Sequence, residues 1–144
     1  MYIAIDFDGT CVTHEYPNIG KDIGAIPVLK QLVEDGHKLI LYTMRSDKTL
    51  EEAVQWFKDN EIQLYGINGN PSQKSWTNSP KVYANIYIDD AAIGVPLVNY
   101  NSDLWPHRPY VCWTNMYDYI NNKIEKLNNG KEKINFNKRH SRLR

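Results

Sequence analysis

The sequence predicts an α/β protein built on an open parallel sheet that helices cover on both faces. Short apolar runs of strand length alternate with longer segments in which apolar residues recur every three or four positions. Polar residues follow several of the apolar runs directly, as is typical of the carboxyl edge of such a sheet. The 144 residues suffice for one domain with a buried core.

The first half of the chain predicts two strands and one helix. Residues 2–7 and 38–43 are short apolar runs, which indicates buried strands. Residues 22–35 place apolar side chains at helical spacing, with a start at Asp22 or nearer Ala25, and Gly36 is a suitable helix end. Residues 10–21 contain proline, asparagine and glycine, so we expect a loop there.

The second half continues the alternation. Asp47 is the predicted N-cap of a helix over residues 47–60. The remaining predicted elements, in chain order, are strand 62–67, loop 68–80, strands 82–88 and 92–98, loop 99–109 and helix 115–128. This order favours a Rossmann-like parallel sheet flanked by helices.

Charge is unevenly distributed along the chain. Lys and Arg number 17, as do Asp and Glu, yet residues 131–144 hold six basic residues and one acid. We therefore expect a catalytic domain over residues 1–130 and a basic, flexible tail over 131–144. The tail is either a solvated end or an arm that contacts a polyanion or a neighbouring subunit.

Several classes of protein are excluded by composition. No apolar run approaches the length of a membrane span, and the first residues lack the features of a signal peptide. Cys11 and Cys112 are too few for a disulfide framework or a four-cysteine zinc site. We expect a cytoplasmic protein with no membrane partner.

Polar residues that carry chemistry are predicted to meet at one edge of the sheet. They are Asp6, Asp8, Thr43, Asp89 and Asp90, and Lys81 could reach the same edge if the segment before the fourth strand folds over it. Clustered carboxylates repel one another, and hard oxygen ligands suit Mg²⁺, which also binds phosphate. One carboxylate can attack phosphorus, and a second can move the proton. The residues alone thus predict Mg²⁺-dependent phosphoryl transfer through an aspartate.

The same residues resemble the motifs of the haloacid dehalogenase-like (HAD) superfamily. Asp6-Phe7-Asp8-Gly9-Thr10 is similar to its first motif, DxDGT. Thr43, Lys81 and Asp89-Asp90 resemble motifs two, three and four, in the family's order. The resemblance covers residues 2 to about 98.

The resemblance implies a role for each matched residue. Asp6 would be the nucleophile, and Asp8 the general acid and base, with its backbone carbonyl on Mg²⁺. Thr43 would bind the phosphoryl group, and Lys81 would neutralise its charge and that of the nucleophile. Asp89 would ligate Mg²⁺ directly, and Asp90 would do so through water or orient its neighbours.

Two positions leave alternatives open. Lys74 lies seven residues before Lys81 and is the other candidate for the site lysine. Arg45 follows Thr43 by two residues, so it either binds substrate or is a surface arginine. Met44 and Arg45 also replace the glycine and asparagine that commonly flank motif two.

Neither usual insertion point has room for a cap domain, so the resemblance implies a HAD core without a cap. The site is then open to a bulky substrate, or it is closed by a second subunit of a homo-oligomer or by a local loop. Candidate loops are 68–80, with Trp76, and 99–109, with Trp105, His107 and Arg108. These aromatic and basic side chains either bind substrate or simply pack.

The leading expectation is a phosphatase that hydrolyses a phosphorylated small molecule, a nucleotide or a sugar phosphate. A nucleic-acid end is the second substrate class, favoured by the basic tail and the open site. A silent HAD scaffold that binds nucleic acid or a protein is a further alternative, as is transfer to an acceptor other than water. A response-regulator receiver is disfavoured, because its acidic residues, Thr and Lys occur in another order.

Overall fold

The computed structural model describes residues 1–98 and 108–141, without the side chains of 132–141. The chain divides into two compact units, Met1–Thr114 and Asn115–Arg144. The first unit contains six strands: β1 Tyr2–Ile5, β2 Lys38–Leu41, β3 Leu64–Ile67, β4 Ile86–Ile88, β5 Leu97–Val98 and β6 Tyr110–Val111. It also contains helices α1 Ala25–Glu34 and α2 Asp47–Asp59 and a short 3₁₀ turn, Gln73–Ser75.

Four strands form a parallel sheet in the order β3-β2-β1-β4. The chain builds outward from β1 to β3 and then returns to the other side of β1. The connection therefore changes direction between β1 and β4, and open α/β sheets bind their ligands at such a switch point. The predicted α/β, Rossmann-like fold class is confirmed.

The two central strands are buried on both faces. Ile3 and Ile5 point to one face and Ala4 to the other, and all three are almost fully buried. Leu39, Ile40 and Leu41 repeat this pattern on β2, in register with β1. Burial on both faces is why these strands are continuous apolar runs in the sequence.

Both predicted helices of the first unit form, with shifted starts. Gly24 adopts a left-handed conformation with φ of +94°, so α1 begins at Ala25 and not at Asp22. The predicted N-cap at Asp47 is wrong. Ser46 is the N-cap, because its carbonyl accepts the first helical hydrogen bond, from Leu50 at 3.1 Å.

The predicted strand over residues 82–88 is shorter, because two buried amide side chains bind the backbone at Tyr83. Gln73 Oε1 accepts the Tyr83 N–H at 2.7 Å, and Asn70 Nδ2 donates to the Tyr83 carbonyl at 2.9 Å. These bonds replace strand pairing, so β4 begins only at Ile86. They also fix the loop over residues 68–82 against the sheet.

The predicted fifth strand does not join the parallel sheet. Residues 89–95 form turns, in which Ala92 N–H donates to Asp89 O and Val95 N–H to Ala92 O. Only Leu97–Val98 is extended, and it pairs antiparallel with β6. This small hairpin is tied to the first motif, because Val111 N–H donates to Gly9 O at 2.8 Å.

The second unit is one helix, α3, over Met116–Ser141. The predicted helix end near residue 128 is wrong, because the helix continues through Gly130. A single helical glycine costs only about 1 kcal/mol, and lysine and glutamate, which follow it, are good helix formers. The predicted boundary at 130/131 thus falls inside α3, and the role of the basic tail stays a prediction. No described helix is long and apolar enough to cross a membrane.

Candidate functional site

Three aspartates meet at the switch point of the sheet. Asp6 follows β1, and Asp89 and Asp90 follow the neighbouring strand β4. The Asp6 N–H extends this pairing by donating to the Ile88 carbonyl at 3.0 Å. One carboxylate oxygen from each aspartate lies within 4.8 Å of the others. Strand order alone therefore brings together residues that are more than eighty positions apart in sequence.

Thr10 connects two of these aspartates through one hydroxyl. Its Oγ1 donates to Asp6 Oδ2 at 3.0 Å and accepts the Asp90 N–H at 3.1 Å. The side chain is fully buried, and its carbonyl accepts the Trp113 indole N–H at 2.7 Å. The turn that carries Thr10 forms because the Phe7 carbonyl accepts N–H groups from three successive residues. The threonine of the first motif thus fixes the relative positions of Asp6 and Asp90.

Burial raises the pKa of Asp6 to about 7. Hydrogen bonds from the Phe7 N–H and the Thr10 hydroxyl lower this pKa, but they only partly offset the effect of burial. The nearby charges of Asp89 and Asp90 raise it further. Burial therefore makes the ionised form of Asp6 costly, and a cation held by the three carboxylates would offset that cost.

His14 packs against this cluster. Its Nε2 lies 3.0 Å from Asp90 Oδ2, and both side chains are largely buried. The ring occupies the space where a side chain at Gly9 would begin, and Gly9 has φ of +77°. Glycine is required there for two reasons, the left-handed backbone and the imidazole over it.

Asp8 does not belong to the aspartate cluster by its side chain. Its two oxygens bind Arg45, with Nε donating to Oδ2 and Nη2 to Oδ1, both at 2.7 Å. Arg45 is only 3% exposed, so the interpretation as a surface arginine is wrong. The predicted roles of Asp8 in proton transfer and, through its carbonyl, in metal binding stay predictions.

Thr43 lies at the carboxyl end of β2 and is nearly buried. Its N–H donates to Asn68 Oδ1 at 2.8 Å, and its Oγ1 accepts the Arg45 N–H at 3.2 Å. Asn68 follows β3, so it fixes Thr43 from the next strand of the sheet. The neighbouring Met44 is almost fully exposed, which leaves this part of the edge open.

Neither candidate lysine contacts the aspartates. Lys81 is exposed, and its Nζ lies 5.8 Å from the centre of the Tyr87 ring. In the described parts of the chain, no hydrogen bond or ion pair joins Lys81 or Lys74 to Asp6, Asp89 or Asp90. The choice between the two lysines stays open.

A cavity of about 420 Å³ lies beside Asn68, at the carboxyl end of β3. Amide, hydroxyl and lysine side chains line it: Asn68, Asn70, Gln73, Lys74, Thr77, Asn78 and Ser79. The lining contains neither a carboxylate nor an aromatic ring. Pro80 and Val82 also line the cavity, and Thr43 is connected to it only through the hydrogen bond from its N–H to Asn68.

The two candidate loops are described to different extents. Trp76 is exposed and lies edge-on to Tyr83, with ring centres 5.2 Å apart. Arg108 is exposed, whereas Trp105 and His107 lie outside the described residues. Their predicted part in substrate binding therefore stays a prediction.

Sequence reasoning missed three residues that shape the site: His14, Asn68 and Trp113. Each acts through a contact distant in sequence, and none belongs to a recognisable motif. An asparagine directly after a predicted strand was the sequence feature that could have indicated Asn68, whose φ of +47° is one that asparagine tolerates. Cys11 is fully buried, and burial raises the pKa of its thiol well above the usual value.

Replacing Gly9 by alanine should destabilise the fold strongly. The added methyl group would overlap the His14 ring at a backbone conformation that alanine adopts poorly. We expect a loss of about 3 kcal/mol in the free energy of unfolding, measured by urea denaturation. Gly36→Ala is the matched control, because Gly36 has φ of +81° but open space around it, and it should lose only about 1 kcal/mol. Equal losses would contradict the role of His14.

The raised pKa of Asp6 makes the metal-free protein less stable as pH rises. The unfolded carboxyl ionises near pH 4 and the folded one near pH 7, so the folded state holds the extra proton between these values. Asp6→Asn should remove this loss and be more stable than wild type by about 3 kcal/mol at pH 8, with little difference at pH 4. Denaturant unfolding at both pH values, in EDTA, measures it. The control Glu51→Gln, at an exposed position on α2, should change neither value.

Comparison with known proteins found a solved structure that is similar to this chain. No protein-family model and no curated protein matches it. A solved structure of a conserved protein coded by a locus of Bacteroides thetaiotaomicron is 34% identical in sequence. The match covers 85% of this chain and 91% of that one, with a TM-score of 0.69. The chain therefore belongs to the same family as this conserved Bacteroides protein.

Proposed function

We propose that the protein is a Mg²⁺-dependent phosphatase of HAD type that hydrolyses a phosphomonoester through an aspartyl phosphate. The observation that carries the proposal is the convergence of Asp6, Asp89 and Asp90 at the switch point of the sheet. Thr43 lies at the same edge, at the end of the strand next to β1. These positions are the ones that the resemblance to the HAD motifs assigns to the reaction.

The donor set fits Mg²⁺. Three carboxylate oxygens within 4.8 Å of one another are hard ligands, and opposite ligands of Mg²⁺ lie about 4 Å apart. Burial, which raises the pKa of Asp6, supports the same assignment, because a divalent cation would stabilise the ionised carboxylate there. Asp6, Asp89 and Asp90 would hold the ion. When bound, it would neutralise charge on the phosphoryl oxygens and draw them toward Asp6.

The chain's residues would then act in two steps. In the first, Asp8 enters protonated; a carboxylate oxygen of Asp6 forms a bond to phosphorus, and the bond to the leaving oxygen breaks as Asp8 gives that oxygen its proton. In the second, Asp8 takes a proton from water, whose oxygen attacks phosphorus and releases phosphate from Asp6. The Thr43 hydroxyl would donate a hydrogen bond to a phosphoryl oxygen. Thr10 keeps Asp6 oriented throughout through its bond at 3.0 Å.

The cavity beside Asn68 supports a small hydroxylated substrate. Its volume of about 420 Å³ suits a metabolite-sized group, and its amides and hydroxyls suit an alcohol-rich leaving group. It has no aromatic ring for stacking a base and one cation, Lys74. Because the lining of this cavity includes neither Thr43 nor the aspartates, both a sugar phosphate and a nucleotide remain substrates of the proposal.

Phosphate release from a panel of phosphomonoesters tests the proposed function. Sugar phosphates, nucleotides and 3′- and 5′-phosphorylated oligonucleotides would be compared with and without Mg²⁺. We expect turnover that requires Mg²⁺ and falls at least about 1,000-fold in Asp6→Asn, because loss of the nucleophile removes the covalent route. Lys48→Met, on the exposed surface of α2, is the control and should keep the wild-type rate. Turnover that survives Asp6→Asn would contradict the mechanism.

Removal of residues 131–144 separates the small-molecule enzyme from a nucleic-acid enzyme or a silent scaffold. The segment carries six of the 17 basic residues of the chain. A small-molecule phosphatase should keep kcat and KM within about twofold after the truncation. A polynucleotide enzyme or scaffold should instead lose oligonucleotide affinity, in a way that also depends steeply on salt. Circular dichroism would verify that the shortened chain is folded.

A further inference from the structure

We propose that Arg45 is a positioning residue that fixes the Asp8 carboxylate and the loop beside it, and that it does not bind substrate. The inference rests on the proposed function for the role of Asp8 and on geometry for everything else. It concerns the rim segment, defined as residues 13–18, which follows the first motif.

Every N–H group of the Arg45 guanidinium is already bound within the chain. Nε and one Nη2 hydrogen bind the two oxygens of Asp8. The other Nη2 hydrogen binds the Asn18 carbonyl at 2.8 Å, and Nη1 binds the carbonyls of Pro17 and Thr49 at 3.1 and 3.4 Å. A guanidinium has five donors, and here it has five acceptors. None is left for a phosphoryl oxygen.

The planar group is also enclosed on its faces. The guanidinium carbon lies 5.1 Å from the centre of the Phe7 ring and 5.2 Å from the centre of the Tyr16 ring. Phe7 belongs to the first motif and Tyr16 to the rim segment, so Arg45 contacts both. A substrate that approached Arg45 would have to displace Tyr16 or one of the three backbone carbonyls bound to the guanidinium.

These contacts make Arg45 the link between three parts of the chain. Arg45 lies shortly after β2 in the sequence and binds Asp8, which follows β1. It also donates hydrogen bonds to the carbonyls of Pro17 and Asn18 in the rim segment. The rim segment is braced further because Thr13 exchanges hydrogen bonds with Lys21 through its N–H and its Oγ1. The orientation of Asp8 and the position of the rim therefore depend on one side chain.

Lysine cannot reproduce this arrangement. An ammonium group is a single point with three donors, so it cannot bind both Asp8 oxygens and carbonyls on two segments at once. Arg45→Lys keeps the charge and most of the stem, whereas Arg45→Met removes the charge. Neither variant should bind both Asp8 oxygens as arginine does. If charge attraction alone mattered, Arg45→Lys would behave like the wild type and only Arg45→Met would differ.

Steady-state kinetics on the best phosphomonoester of the panel tests whether Arg45 positions Asp8 for proton transfer. A positioning role predicts that Arg45→Lys lowers kcat at least about 30-fold while KM changes less than about threefold. In an Asp8→Asn background, Arg45→Lys should cause little further loss, because both changes affect one proton transfer. Added guanidinium ion should restore part of the activity of Arg45→Ala. A rise in KM of tenfold or more with kcat unchanged would assign Arg45 to substrate binding and overturn the proposal.

Hydrogen–deuterium exchange, which needs no substrate, tests whether Arg45 fixes the rim segment. The amides of the rim segment should exchange at least about tenfold faster in Arg45→Lys and Arg45→Met than in the wild type, and Lys48→Met should change nothing. Unchanged exchange in both Arg45 variants would overturn the link to the rim. If the wild type releases no phosphate from any ester, the proposed function fails, and this exchange result alone decides whether Arg45 braces the segment.

Discussion

The structure depends on one electrostatic constraint, the crowding of three carboxylates at the switch point of a parallel sheet. Asp6, Asp89 and Asp90 are forced together because β1 and β4 are neighbours, and burial raises the pKa of Asp6 to about 7. An arrangement of this kind costs folding free energy unless a proton or a cation compensates the charge. Such cost is typical of residues kept for chemistry rather than for stability.

The residues around the cluster are explained by this constraint. Thr10 joins Asp6 to the backbone of Asp90, and His14 binds the Asp90 carboxylate. Gly9 has no side chain, which leaves space for the His14 ring. Arg45 binds both oxygens of Asp8, whose side chain is not part of the aspartate cluster. Each contact limits the freedom of a carboxylate that repulsion would otherwise displace.

The elements that depend on local sequence pattern could be predicted from the sequence. The features that depend on contacts between residues distant in sequence could not. Strands, helices and the edge that gathers Asp6, Thr43 and Asp89 follow from apolar runs and from the residues after them. The burial of Arg45 did not, because its partners Pro17 and Asn18 lie in a loop with no periodicity. The shortened β4 likewise results from the Gln73 amide, which competes for the backbone from ten residues away.

Oxygen exchange between inorganic phosphate and water tests the central claim most directly, because it needs no knowledge of the substrate. An enzyme that forms a phosphoryl bond to Asp6 reversibly should wash ¹⁸O out of labelled phosphate in ordinary water. We predict loss of label that requires Mg²⁺, stops in Asp6→Asn and continues in Lys48→Met, measured by the isotope shift in ³¹P NMR. Retention of all label by wild-type protein that has bound Mg²⁺ would contradict the account.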